Sequence, residues 1–313
     1  MAPTSLTETD NRQPLLLGVD GGGTSCRARI TDLDGNILGE GFAGSANPRT
    51  GLDLACNAIM QATREAMSKA GLEESDLGRI YAGLGLAGVN QQKERELVLG
   101  WGLPFASIFL ETDAYAACMG AFNGNDGAIL ILGTGSCGAS LINGEMKTLG
   151  GWGFPVSDHG SGASLGLAAV RYSLLAHEGM KPETPLSRAI MATFDNMPEN
   201  AVAWQDSALP RDYGSFGPLV VEHLSKGDPL AEQLIQESAD DAAMMIRVLH
   251  QRGANQCALV GGLSEFVMPW LPEDVATIAT LPKGDAMHGA LLMAAKLLCR
   301  KRVAIPMQPF EHF

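Results

Sequence analysis

The chain has 313 residues, 46% hydrophobic and 18% charged, with 38 glycines and a formal net charge of −13. That length and apolar content imply a folded chain of two ordinary domains with many tight turns, and exclude a disordered one. The acidic balance argues against nucleic acid and acidic membrane surfaces as partners, and no apolar run approaches the roughly 20 residues of a membrane span.

Residues 1–14 open with MAPTSLTETDNRQ, polar and acidic, unlike a secretory signal; they read as a flexible leader. The six cysteines show no CxxC pair and no regular spacing, as expected of reduced core thiols in a cytoplasmic enzyme. The first structured stretch, residues 16–27, is LLGVDGGGTSCR. A buried-looking strand runs into Asp20, then into Gly21, Gly22, Gly23, Thr24 and Ser25, and out through an alternating second strand. Glycines let the tip of such a hairpin approach a ligand closely, and successive backbone N–H groups there form an anion-binding concavity. A carboxylate just before it suits a divalent cation that arrives with the anion, so phosphate plus magnesium is the functional reading. A plain β-turn with a surface Asp is the alternative for this stretch alone. A close variant at 128–138, AILILGTGSCG, favours phosphate: Gly133, Thr134, Gly135 and Ser136 repeat the turn. Two such hairpins facing each other would clamp a polyphosphate.

Between the hairpins, a third strand is expected near 37–42 and a turn-rich loop at 44–51, GSANPRTG. Asn47 in that loop is either an Asx-turn residue or an amide that bridges sugar hydroxyls. A helix over 52–70, a strand within 79–88 and a helix over 91–99 follow. A short strand at 107–111 then delivers Asp113, with a helix over 114–121. Asp113 is either a helix N-cap or the base that takes the proton of an acceptor hydroxyl; the paired hairpins favour the base. The second half repeats the pattern: strands at 128–132, 137–142 and 145–150, a loop at 150–162 (GGWGFPVSDHGSG), and a helix over 162–177 whose N-terminus is open to an oxygen-rich ligand. Asp158 in that loop is a helix cap or a partner for sugar hydroxyls or an amine. Trp152 offers a flat apolar face, and His159 reads as a loop histidine rather than a zinc ligand or acid–base group. Residues 181–229 read as an inserted helical subdomain without an assigned role. A helix over 230–249, a strand at 257–260 ending in Gly261-Gly262, a strand at 275–280 and a helix over 285–298 complete the chain. The expectation is two related α/β domains, residues 15–122 and 123–313, with a cleft between them.

These motifs resemble the actin-like ATPase superfamily of sugar kinases, Hsp70 and actin. DGGGTSCRARI (20–30), GSAN (44–47), PFASIFLETDAY (104–115), GTGSCG (133–138), SDHGSG (157–162) and ALPRDYG (208–214) are most similar to bacterial glucosamine kinases. Those fall within the group of N-acetylglucosamine kinases and BadF/BadG/BcrA/BcrD ATPases. The resemblance runs from Leu15 to about Leu298 and implies two ribonuclease H-like domains that close over the sugar, ATP and Mg²⁺ as cofactors, and a homodimer. It implies that Asp20 holds Mg²⁺, mostly through water. Gly22, Gly23, Thr24 and Ser25 would meet the β- and γ-phosphates, with Thr134, Gly135 and Ser136 on the other side. Asp113 would act as base for the sugar 6-hydroxyl, Asn47 and Asp158 would bind the sugar, and Gly261 and Gly262 would line the adenosine site; the reading of the loop itself adds Trp152 to the sugar-binding candidates. His159 departs from the DQGSG or DEGSG of relatives. Three alternatives stay open. N-acetylglucosamine is one, an ATPase activator of an acyl-CoA dehydratase or reductase with an iron–sulfur cluster on Cys118 and Cys137 another. The third is a sugar-sensing regulator, disfavoured by the 14 residues that precede Leu15, too few for a helix-turn-helix.

Overall fold

A computed structural model describes residues 12–303, so the expected leader lies, except for residues 12–14, outside the described residues. The chain folds as two compact units, one holding the residues up to Asn125 together with those from Lys283 onward, the other Asp126–Pro282. The sequence reading expected a single break near residue 123; instead the chain returns to its first unit for the closing helix.

In the first unit, β1 (Leu15–Gly21), β2 (Cys26–Thr31), β3 (Ile37–Ala43), β4 (Ile80–Leu86) and β5 (Ser107–Thr112) form one sheet in the order β3-β2-β1-β4-β5. β1 is antiparallel to β2 and parallel to β4, and β4 is parallel to β5. Central β1 is buried throughout except at Asp20, as a strand covered on both faces must be. Helix α1 (Leu52–Lys69) lays Ala55, Ile59, Ala62 and Ala66 against β2 and β3. Helices α2 (Gln92–Gly100) and α3 (Asp113–Ala121) flank β5 in sequence.

The second unit repeats this plan. Strands β6 (Gly127–Leu132), β7 (Ser136–Ile142), β8 (Glu145–Gly150), β9 (Cys257–Val260) and β10 (Ala279–Thr280) run in the order β10-β9-β6-β7-β8, the same topology strand for strand. Its helices are α4 (Gly162–His177), α5 (Pro185–Ala192), α6 (Pro198–Gln205), α7 (Pro210–Gly214), α8 (Gly217–Leu224), α9 (Pro229–Gln251), α10 (Ser264–Val267) and α11 (Glu273–Ala276). Five of the six prolines of 181–229, all but Pro182, sit at the first or second position of α5 to α9, where the missing N–H costs nothing and the fixed φ suits a helix. Asp228 caps α9 through Leu230 and Ala231, and its other oxygen accepts the Leu186 N–H at 2.8 Å, fixing α5 on α9. The strand expected at 275–280 shrinks to β10. Pro272 and the acidic pair Glu273-Asp274 start α11 instead, whose Val275 is buried.

Helix α12 (Ala286–Val303) covers β1 and β4 of the first unit. It passes over Gly18 and Gly83 so closely that a Cβ there would lie 2.5 Å from the Met287 carbonyl and 1.9 Å from that of Ala290. Met287, Ala290, Leu291 and Ala294 are buried by this docking. Among the described residues no helix is long and apolar enough to cross a membrane.

Candidate active site

In the first unit, the β1–β2 hairpin closes with the Gly22 N–H donating to the Ser25 carbonyl at 2.8 Å, leaving Gly23, Thr24 and Ser25 exposed at its tip. Its two flanking loops are tied to it: Ala46 N–H donates to the Gly22 carbonyl and Ala87 N–H to that of Gly21. Asn47 follows Ala46 and behaves as the Asx reading expects. Its Oδ1 accepts the Arg49 N–H at 3.0 Å and caps a short turn over Pro48–Thr50. That commits the carbonyl oxygen and leaves the amide nitrogen as the group to present to a ligand.

Asp20 pairs across the strands with Arg27, whose Nη2 and Nε both donate to Oδ2, at 2.5 and 3.2 Å. Asp113 stands at the end of β5, two strands from β1 in a parallel set, and ligands of open α/β sheets gather at such carboxyl ends. It is not the helix cap. Thr112 caps α3 by accepting the Tyr115 N–H at 3.2 Å, and Asp113 is the first helical residue, its Oδ1 accepting the Ala114 N–H. Burial raises the Asp113 pKa above the ordinary carboxylate value, and the negative charge of Asp20 adds to that; the Ala114 N–H opposes it. Two carboxylates against one guanidinium leave the site negative and oxygen-rich, which suits a hard divalent cation. No cluster of three or more His, Cys, Asp or Glu able to hold a metal occurs among the described residues, so such an ion would take its remaining ligands from water and phosphate.

In the second unit, the β6–β7 hairpin closes through Gly133 N–H donating to the Gly135 carbonyl at 3.0 Å. The start of α4 is spent on this hairpin. Gly162 N–H donates to the Gly133 carbonyl at 2.8 Å and Ala163 N–H to that of Thr134 at 3.0 Å, while Ser161 caps Ser164. The expectation of a helix N-terminus open to ligand therefore fails: its donors lock the phosphate hairpin in place. Asp158 is 9% exposed with a left-handed φ of 65°, and does not cap the helix either. Its carboxylate lies beside Gly135, where a Cβ would come within 2.8 Å of Oδ2. Asp158, Thr134, Gly135 and Ser136 border one cavity of about 370 Å³. Ser136 Oγ donates to the His159 carbonyl at 2.6 Å, and Ser164 Oγ to that of Asp158 at 2.8 Å, which fixes the loop on the hairpin. The His159 ring is exposed and interacts electrostatically with Asp241 on α9, whose pKa burial raises. Trp152 is 88% exposed and does not border that cavity.

A larger cavity of about 690 Å³ adjoins the hairpin through Thr134 and Gly162, with Gly262 but not Gly261 on its wall. Gly214, Pro218, Val221, Glu222 and Phe266 complete much of the lining. Sequence reasoning missed these walls; ALPRDYG, which ends at Gly214, was the available signal. Gly261 serves the backbone: its φ is 105°, and a Cβ would meet the Leu132 carbonyl at 2.4 Å. Among the described residues, which include all six cysteines, there is no disulfide.

A duplicated five-stranded sheet, with a glycine-rich hairpin in each half and carboxylates at strand ends, defines the two-domain α/β fold of the sugar kinases and actin-like ATPases. The sequence profile of the BadF/BadG/BcrA/BcrD ATPase family matches residues 17–294, and the chain belongs to that family. It is 43% identical over 280 residues to a glucosamine kinase of Vibrio cholerae, covering 90% of this chain and 95% of the relative. A crystal structure of a putative N-acetylglucosamine kinase from Chromobacterium violaceum superposes with a TM-score of 0.77 at 32% identity, covering 90% of this chain and 99% of that one. A glucokinase from Streptomyces griseus, solved with glucose and AMPPNP, shares the fold at TM-score 0.54 and 19% identity, covering 90% and 98%.

Proposed function

We propose that this protein is an ATP-dependent sugar kinase that transfers the γ-phosphoryl group of ATP to the 6-hydroxyl of glucosamine. The observation that carries the reading is the 43% identity to a glucosamine kinase along nearly that protein's whole length. Asp113 accepts the proton of the sugar hydroxyl as its oxygen attacks the γ-phosphorus; the bond from phosphorus to the β,γ-bridging oxygen breaks, and ADP leaves. Its raised pKa makes it a stronger base than an exposed Asp. Asp20 is the residue that would hold Mg²⁺, and the ion when bound neutralises charge on the β- and γ-phosphate oxygens. Gly22–Ser25 and Thr134–Ser136 supply backbone and hydroxyl donors to phosphate, and the 690 Å³ cavity with Gly262 takes the adenosine. Asn47 donates to sugar hydroxyls, Trp152 offers its ring to the sugar, and buried Asp158 offers its side-chain oxygens to the ammonium of an unacetylated amino sugar. A cytoplasmic homodimer belongs to the same reading.

N-acetylglucosamine is the second reading, supported by the name of the Chromobacterium relative. A coupled ADP-release assay with Mg-ATP against glucosamine, N-acetylglucosamine and glucose separates them. Turnover strongest with glucosamine, and lost in Asp113→Ala, is the expected result. Preference for the acetylated sugar would replace the substrate and keep the mechanism, whereas sugar-independent ATPase activity would overturn the kinase.

A further inference from the structure

The helical segment 181–229 has no role in the reading above beyond lining a cavity, yet it is joined to the loop that carries Asp158. That loop holds three large apolar side chains, and they divide sharply. Trp152 and Val156 are both 88% exposed, while Phe154, four residues before Asp158, sets its ring 5.0 Å from the ring of Tyr213 on α7. Tyr213 is buried, and an aromatic chain continues from it. Trp204 of α6 lies 4.7 Å away, edge-on, and itself packs on Phe194 at 5.5 Å and on Phe216, at the head of α8, at 5.7 Å. Offset and edge-to-face pairs of this kind are directional, so the rings fix angles as well as distances.

The same helices form the wall of the 690 Å³ cavity. Gly214 follows Tyr213 directly, and α8 contributes Pro218, Val221 and Glu222. Helix α7 is in turn seated on α4 at Gly166, where a Cβ would lie 1.9 Å from the Tyr213 carbonyl. One short helix thus touches the Asp158 loop with a side chain and the cavity with the next residue. A ligand that presses on α7 or α8 has a packed route to Phe154, and from there along four residues of one loop to Asp158, entirely within this unit, and close-packed interiors transmit small shifts.

We propose that Phe154 and Tyr213 are positioning residues that couple the two cavities, so that a nucleotide against α7 and α8 sets the affinity of the Asp158 loop for the sugar. This rests on the kinase reading for the identity of both ligands. Coupling of this sort ordinarily changes affinity about 5- to 150-fold, and it is reciprocal.

Calorimetric titration of glucosamine, with and without a non-hydrolysable ATP analogue plus Mg²⁺, tests it on the full-length protein. The wild type should bind the sugar about tenfold more tightly with the analogue present. In Phe154→Ala that ratio should fall to about one, with affinity for the analogue alone within about twofold of wild type. Phe154→Leu, which keeps bulk without the ring, should lose most of the ratio even if the alanine variant folds poorly, and Phe154→Tyr should restore it. A ratio unchanged in folded Phe154→Leu, or a ratio of one in a wild type that turns over glucosamine, would overturn the coupling alone. A wild type that binds no glucosamine and transfers no phosphoryl group would overturn both the coupling and the kinase reading.

Discussion

The two glycine hairpins occupy the same place in the same five-stranded topology, but their strands differ one pair back from the turn. In the first, the cross-strand partners are Asp20 and Arg27; in the second, Ile131 and Cys137. A charged pair facing an apolar pair at one structural position separates what the scaffold supplies from what the side chains supply. The scaffold gives both turns a row of backbone donors. Only the first turn adds a carboxylate that can attract a cation, and only the second is braced from behind by the start of a long helix, through Gly162 and Ala163. The first unit spends its polar residues on charge, with Asp113 raised in pKa by burial and by Asp20. The second, Asp158 aside, spends them on rigidity.

If charge is concentrated in the first unit, the largest loss comes from Asp113. Asp113→Asn should lower kcat by about 10²- to 10⁴-fold, the ordinary contribution of a positioned base, while the sugar KM moves far less. The pH dependence has a fixed sign. Because the folded pKa is raised, the acid limb of kcat/KM should fall at a pH above that of an ordinary carboxylate, and Asp113→Asn should abolish that limb in the residual activity. The same shift means that ionised Asp113 destabilises the fold, fully so above its folded pKa and no longer below its unfolded one. Thermal unfolding of Asp113→Asn should therefore show a higher Tm than wild type at neutral pH, with the difference vanishing in acid.

The contrast at the penultimate pair can be weakened directly. Arg27→Gln removes the guanidinium that holds Asp20 Oδ2 but keeps the carboxylate. Partners that orient a metal-facing ligand are ordinarily worth about 10- to 100-fold in metal affinity, so the Mg²⁺ concentration for half-maximal activity should rise by about that factor. If it falls instead, Arg27 opposes the cation by charge more than it orients Asp20, and the pair is electrostatic rather than positional.

Much of this was legible before any coordinates. Both hairpins and the strand that delivers Asp113 follow from short apolar runs ending in glycine or turn residues, and the Asx role of Asn47 from the turn formers around it, signals carried within a few neighbours. What failed depended on distant partners. Nothing local in 285–298 tells which sheet the helix covers; that is decided by Gly18 and Gly83, far away in sequence, which leave room for it. Nor does 275–280 reveal whether its apolar residues form a strand, since Pro272 and two acidic residues decide for a helical turn. The N-terminus of α4 departs from expectation for the same reason, because its donors are consumed by carbonyls of a hairpin 29 residues earlier. The motif ALPRDYG marks Tyr213, but nothing local pairs its ring with Phe154, Trp204 or, through Trp204, with Phe194 and Phe216, since ring packing between distant segments has no sequence period.

The second hairpin's rigidity predicts a smaller effect. Gly135→Ala places a Cβ 2.8 Å from Asp158 Oδ2, and because the Ser136 and Ser164 bonds hold that loop, the carboxylate rather than the hairpin should give way. Displacing a charged hydrogen-bond partner costs about 1.5–3 kcal/mol, so the glucosamine KM should rise about 10- to 150-fold with kcat nearly kept. An equal rise in the ATP KM would show that the hairpin moved instead.

The smallest effect belongs to Trp152, and it separates binding from structure most cleanly. At 88% exposure the ring supports nothing in the fold, so Trp152→Ala should leave unfolding within about 0.5 kcal/mol of wild type. Its neighbour Phe154, packed on Tyr213, would not be so neutral. A sugar ring stacked on the indole is worth about 0.5–1.5 kcal/mol, so the same variant should raise the glucosamine KM about 2- to 12-fold without touching that of ATP. An unchanged KM would remove Trp152 from the sugar site and leave Asp158, the buried charge on the same loop, as that loop's contribution to recognition.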